Sequence, residues 1–216
     1  SLEHEECIKR HGMTPMKYLD SVGLLDYGAY AAHCVYCTDD DFRIMKDKNV
    51  TLVHNPTSNL KLGSGIARIK RALELGVNVA IGTDGCASND DLDMFEEMRL
   101  AALLASGVSR DPAALTAWDV FEMATINGAR ALGRLDTGSL EVGKRADFAV
   151  LDMNSIHFKP ALDAVNMLVY SAHASDVVKT VVDGSVVYER SSFSIPENIE
   201  SDFSLAVSQI GLKGVQ

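Results

Sequence analysis

Three short apolar runs in this chain end in residues able to move protons or hold a metal. Tyr30 to Ala32 leads into His33-Cys34-Val35, Val50 to Val53 into His54-Asn55, and Val77 to Ile81 into Gly82-Thr83-Asp84-Gly85. A carboxylate that leaves a buried apolar strand is costly unless it is paired or binds a metal. Asp84 therefore has two readings of equal standing. It caps the following loop and helix, or it is a metal ligand that also takes the proton of a metal-bound water. A single strand-end His is ordinarily a structural hydrogen-bonding residue. Reactive groups at three successive strand ends point instead to one mouth, because the carboxyl ends of parallel strands form the active face of α/β folds.

The elements that must position these groups follow a β-then-α rhythm. A helix is expected to end at Gly12, and Pro15 opens a second one that Gly23 closes. Strands are predicted over 30–35, 50–54 and 77–82. The helices between and after them cover 39–48, 65–75 and 90–106, the last capped by Ser88 or Asn89. Near-continuous apolar strands alternating with amphipathic helices predict a parallel sheet buried on both faces. Thr116-x-x-Asp119 reads as a capping box opening a helix that runs to Leu132. After Gly133 the texture changes. Phe148 to Leu151 reads as a strand, and two alternating runs about Asp183-Gly184 read as a hairpin. Residues 197–212 read as a loose terminal helix.

The chain has 216 residues, 30 acidic and 20 basic, for a formal net charge of −10. That balance argues against nucleic-acid or anionic-membrane binding, since phosphate contacts need clustered Lys and Arg. No apolar stretch reaches membrane-spanning length. Cys7, Cys34, Cys37 and Cys86 are too few and too irregular for a disulfide framework, so a reducing cytoplasm is expected. Cys34-Val35-Tyr36-Cys37 is a single C-x-x-C without a second pair and reads as strand-end packing thiols. Cys86 reads as a packing residue. Gly63-Ser64-Gly65 lacks phosphate-loop spacing. His157 and His173 are expected to be surface or satisfied residues without functional partners.

Three segments in order are similar to the amidohydrolase superfamily: Ala31-Ala32-His33-Cys34-Val35, His54-Asn55-Pro56-Thr57-Ser58-Asn59-Leu60-Lys61-Leu62-Gly63-Ser64-Gly65, and Gly82-Thr83-Asp84-Gly85-Cys86-Ala87-Ser88-Asn89. They resemble in particular the branch of 5-methylthioadenosine and S-adenosylhomocysteine deaminases and triazine chlorohydrolases. The resemblance implies a (β/α)8 TIM barrel with one divalent metal, zinc or iron. It implies that Asp84 is a metal ligand and proton acceptor, and that His33 contacts the attacking water and the substrate. His54, Asn55, Ser58, Asn59 and Ser88 would line the substrate side of the same mouth.

The resemblance also implies parts that this sequence does not contain: a His-x-His pair on the first strand, and a His and an acidic proton donor on and after the fifth. No initiator Met opens the chain, which is expected to start just after the fifth strand of a longer protein. The expected architecture is therefore α/β. Residues 1–135 would hold a partial barrel made of its last three strands and helices, 136–195 a small C-terminal β-sandwich segment, and 196–216 a terminal helix or tail. The expected function is deamination of an adenosine-like or related nitrogen heterocycle, with the isolated chain inactive and its metal weakly retained or absent. The alternative is a non-catalytic relative acting as a binding or interaction protein. An opened barrel face would leave Leu52, Val53, Val79 and Ile81 exposed, so a homodimer that covers them is expected.

Overall fold

Left-handed residues punctuate the chain where helices and strands stop. The structure, a computed structural model, describes residues 2–194 and 198–209. Helix α1 (Leu2–His11) ends at Gly12, φ +70°. Helix α2 (Pro15–Ser21) starts with Pro at its first turn, and the Thr14 hydroxyl accepts the Lys17 N–H. Strand β1 (Tyr30–Ala32) is shorter than predicted, because His33 and Cys34 turn to φ +66° and +49° and leave the extended region. Helix α3 (Asp39–Asp47) opens with a reciprocal Thr38/Asp41 capping box. Strand β2 (Thr51–His54) follows it.

Helix α4 (Pro56–Lys61) fills a stretch that the sequence left without an element. The predicted helix over 65–75 is only α5 (Ile69–Glu74), because Gly63 and Gly65, at φ +65° and +112°, keep the preceding segment a loop. After β3 (Val79–Ile81), the predicted helix over 90–106 divides. A short α6 (Cys86–Asn89) comes first; α7 (Met94–Ser109) then starts later than expected. Its cap is Asp93, whose carboxylate accepts the Phe95 N–H, rather than Ser88 or Asn89. The helix that opens at the Thr116/Asp119 capping box breaks at Thr125 into α8 (Ala117–Ala124) and α9 (Ile126–Ala131).

Strands β1, β2 and β3 form one parallel sheet in sequence order, with Ala31 opposite Leu52 and Val53 opposite Ala80. One core unites the sheet with the helices: Phe42 and Met45 from α3, Ala72 from α5, Met98 and Ala102 from α7, and Val120 and Met123 from α8. Leu52, Val79 and Ile81 are buried in that core, against the expectation that they would be exposed. Their side chains alternate toward the helices, leaving Val53 half-buried beside Gly82. On the outer edge of β3 the Asn127 amide donates to the Val79 carbonyl at 3.0 Å. Among the described residues β1 has no partner on its outer edge, where Tyr30 is 63% exposed.

The later chain builds a second, antiparallel sheet from β4 (Phe148–Leu151), α10 (Ala164–Tyr170) intervening, then β5 (Val177–Val182) and β6 (Ser185–Glu189). Asp183 and Gly184 both take positive φ, as a type I′ hairpin turn requires. Helix α10 was not read from the sequence, yet Val165 and Val169 join the core with α7 and α8. Helix α11 (Ile199–Gln209) occupies part of the expected terminal helix; residues 196, 197 and 210–216 lie outside the described ones. No helix among the described residues is long and apolar enough to cross a membrane.

Candidate active site

The parallel register carries three strand ends to one side of the sheet, and the turns after them bring the polar groups together. The His33 N–H donates to the Val53 carbonyl at 2.9 Å, extending the ladder one residue past β1. Its ring Nδ1 lies 2.9 Å from Asn59 Oδ1, on α4. Its Nε2 faces Asp84 Oδ2 at 3.9 Å, and both side chains remain open to solvent. His33, Cys34 and Asp84 are non-glycine residues held at positive φ. Such conformations cost on the order of 1–3 kcal/mol each and concentrate at functional sites.

Asp84 is held from two sides. Ser58 Oγ donates to Oδ2 at 2.6 Å from α4, and Ser88 Oγ donates to the same oxygen at 2.8 Å from α6. These hydroxyls, Ser58 first, together with the Gly85 N–H, bring its carboxyl down to about 2. Asp84 is therefore ionised across the neutral range. The geometry leaves both sequence readings standing: the carboxylate bonds the Gly85 N–H and Ser88 of the loop and short helix that follow, and it also faces His33 across the mouth. Ser58 and Ser88, expected to line the substrate side of the mouth, both meet Asp84, and the Ser88 hydroxyl also reaches the Gly85 carbonyl at 3.0 Å.

His54, Asn55 and Asn59 lie beneath this surface, at most 4% exposed. Asn55 donates through Nδ2 to the Gly82 carbonyl at 2.9 Å, tying the end of β2 to the end of β3. A side chain at position 82 would collide with that amide, 3.0 Å from where a Cβ would stand. His54 has no hydrogen-bond partner for Nδ1 among the described protein atoms. Burial, and then the neighbouring His33, lower its pKa to about 4, so the ring is neutral.

One residue of this arrangement was missed in the sequence. Glu97, on α7, is 1% exposed. Its Oε1 accepts from Asn89 Nδ2 at 2.7 Å and its Oε2 from the Thr57 N–H at 3.2 Å. Asn89 in turn donates to the Thr83 carbonyl at 2.6 Å. Glu97 thus joins the loops after β2 and β3 from below, and burial raises its pKa. The signal available beforehand was a carboxylate on the core-facing stripe of α7, beside Met98 and Ala101.

Elsewhere, His157 and His173 are satisfied residues as expected, and they share one partner. Their rings stand 5.6 Å apart, His157 Nε2 meets Asp176 at 3.0 Å, and the same carboxylate accepts the His173 N–H. All four cysteines are free. The Gly63-Ser64-Gly65 loop is separated from α5 by three residues and presents no phosphate cradle. As to a metal, Asp84 and His33 are two facing donors, whereas tetrahedral zinc takes four ligands. Among the described residues no group of three His, Cys, Asp or Glu side chains converges, so these residues do not complete a metal centre.

Comparison with known proteins places this geometry among relatives. A family profile described as the amidohydrolase family matches residues 1–187. The chain is 48% identical over 188 residues to the 5-methylthioadenosine/S-adenosylhomocysteine deaminase of Acetivibrio thermocellus, covering 87% of this chain and 44% of that protein. It is 49% identical over 181 residues to the 5′-deoxyadenosine deaminase of Methanosarcina acetivorans, covering 84% and 42%. Among solved structures, a zinc-bound adenosine deaminase from Xanthomonas campestris superposes with a TM-score of 0.88 at 36% identity, over 97% of this chain and 47% of that one. The chain therefore spans less than half the length of the curated relatives it matches.

Proposed function

This chain belongs to the amidohydrolase family, and on that premise we propose that it carries part of the active face of a metal-dependent aminohydrolase that deaminates an adenosine-like or related nitrogen heterocycle. The observation that carries the reading is Asp84, ionised, clamped by Ser58 and Ser88, and facing His33 across 3.9 Å. The relatives' names, each a deaminase of an adenosine derivative, support the substrate class.

In this reading Asp84 accepts the proton of the water that attacks the ring carbon bearing the amino group. His33, steadied by Asn59, hydrogen-bonds the attacking oxygen and the tetrahedral centre that develops there. Ser58 and Ser88 keep Asp84 deprotonated and aimed. His54, Asn55 and Asn59 act from below, by fixing the strand ends that carry His33 and Asp84. A divalent metal, zinc or iron, would supply a water of lowered pKa, with Asp84 as the ligand from this chain. Its other ligands would come from outside the described residues, and the chain alone is inactive.

The finer architecture belongs to the same proposal. Residues 1–135 are the last three strands and helices of an eight-stranded barrel, 136–195 a sandwich segment and 196–216 a terminal helix or tail, of which α11 is described. The open edge of β1, beside exposed Tyr27 and Tyr30, is where a second copy pairs to form a homodimer. Four free cysteines fit a reducing, cytoplasmic setting.

The test joins this chain to the amino-terminal half of the Acetivibrio thermocellus relative. Ammonia release from S-adenosylhomocysteine is then measured with zinc present. The joined protein is expected to deaminate and the chain alone not to. A folded, zinc-loaded joined protein without activity, beside an active intact relative, overturns the reading.

A further inference from the structure

Directly behind His33 sits a pair of thiols for which the reaction has no use. Cys34 and Cys37 are the first and fourth residues of a tight turn, closed by the Cys37 N–H donating to the Cys34 carbonyl at 3.3 Å. The ends of such a turn stand within about 7 Å, Cα to Cα. A disulfide spans about 4.4–6.8 Å. Both side chains are half-buried, and the two thiols are close enough to shift each other's titration in opposite directions.

We propose that Cys34 and Cys37 are an oxidation site, at which a peroxide converts the dithiol to an intrachain disulfide that tightens the turn carrying His33.

The two sulfurs are unequal in the way this chemistry needs. The Cys34 thiol donates to the Ala31 carbonyl at 3.5 Å, and its contact with Cys37, together with burial, pushes it up. The same contact holds Cys37 below the usual thiol range, with the Arg68 guanidinium adding to the effect. The Arg68 guanidinium stands against Cys37, donating to its carbonyl at 3.0 Å, while the Cys34 thiol is engaged with the Ala31 carbonyl, so Cys37 is assigned as the nucleophile. Its thiolate attacks one peroxide oxygen, the O–O bond breaks, and the departing oxygen takes up a proton, leaving a sulfenic acid. The Cys34 sulfur attacks that sulfenic sulfur; the S–S bond forms, the S–O bond breaks, and hydroxide leaves with the Cys34 proton as water. Two electrons from the sulfurs reduce one peroxide. A dithiol reductant reverses the change.

The far side of the turn is wedged in place. Tyr36 Oη donates to the Ser64 carbonyl at 3.2 Å and Arg68 Nη2 to the Cys37 carbonyl at 3.0 Å. Val35 Cγ1 lies 3.0 Å from where a Cβ on Gly65 would stand. Closing the ring must then be accommodated at His33 and Cys34, the two residues already at positive φ.

The reduced chain, treated with hydrogen peroxide, is alkylated and weighed intact, then digested and mapped. The expected product has lost two thiols and two hydrogens, carries a Cys34–Cys37 link, and returns to the starting mass with dithiothreitol. Cys37→Ser is expected to form no such link, while Cys34→Ser stops at a dimedone-reactive sulfenic acid on Cys37. The ring resonances of His33 are expected to move on oxidation and those of His157 to stay. Oxygen adducts first at Cys86 or Cys7, or links between other cysteines, would overturn the site. A Cys34–Cys37 disulfide that leaves the His33 resonances unmoved would overturn its coupling to the mouth. None of these measurements uses enzyme activity, so their outcome is independent of the deaminase reading.

Discussion

Ser58 Oγ, on the helix after β2, donates to Oδ2 of Asp84, at the end of β3, across 2.6 Å, although the two residues are 26 positions apart in sequence. The contact is buried on the serine side and open on the carboxylate side. It makes the helix that follows one strand responsible for the aim of the acid that follows the next.

In the joined protein, Asp84→Asn should cut turnover by orders of magnitude, because it removes the proton acceptor. Ser58→Ala should cost about 10–100-fold, the usual scale for a partner that orients a reactive group. Steady-state kinetics check both. A Ser58→Ala enzyme at full activity would remove the clamp from the mechanism.

Purified on its own, the chain should retain little zinc, because Asp84 alone falls short of four ligands. Elemental analysis after gel filtration decides this. Stoichiometric zinc that disappears in Asp84→Ala would mean that the chain holds a complete site.

Stability should fall as the pH drops from about 6.5 toward 4. His54 is buried and neutral, with its folded pKa lowered to about 4. The unfolded chain therefore takes up a proton that the folded chain refuses in that window. Stability is fully present above the ordinary histidine range and is lost on the way down, by about 3 kcal/mol for this group. Urea titrations at pH 7 and pH 5 measure the difference. His54→Gln should flatten it; an unchanged slope would show that another group is responsible.

Glu97→Ala should destabilise the chain by on the order of 2 kcal/mol, since it takes the carboxylate acceptor from the Thr57 N–H and leaves the Asn89 amide only the Thr83 carbonyl. Glu97→Gln keeps one acceptor oxygen and should cost less. The urea midpoint distinguishes the two, and equal midpoints would mean that the loops after β2 and β3 do not depend on this bridge.

Light scattering at low micromolar concentration should give twice the 23.3 kDa of one chain. A well-folded monomer at that concentration would refute pairing through β1. Burial of Leu52, Val79 and Ile81 has already removed the apolar face as a cause of pairing, which leaves the strand edge to drive it.

What the sequence determined by itself was the local grammar. The β-then-α rhythm, the capping box at Thr116 and the Asp183-Gly184 turn all rest on neighbours within a few residues, where periodicity and turn chemistry act. The strand-end positions of His33, His54 and Asp84 were legible for the same reason. Tertiary structure alone decided the rest. That Ser58 and Ser88 serve Asp84, that Glu97 braces two loops, and that α10 returns to the core depend on segments brought together through space. Helix and strand ends moved wherever a positive φ or a side-chain cap outweighed the apolar pattern, as at His33, Gly65 and Asp93. A polar side chain declares its type in the sequence; its partner is chosen by packing, because a buried donor must find an acceptor wherever the fold supplies one.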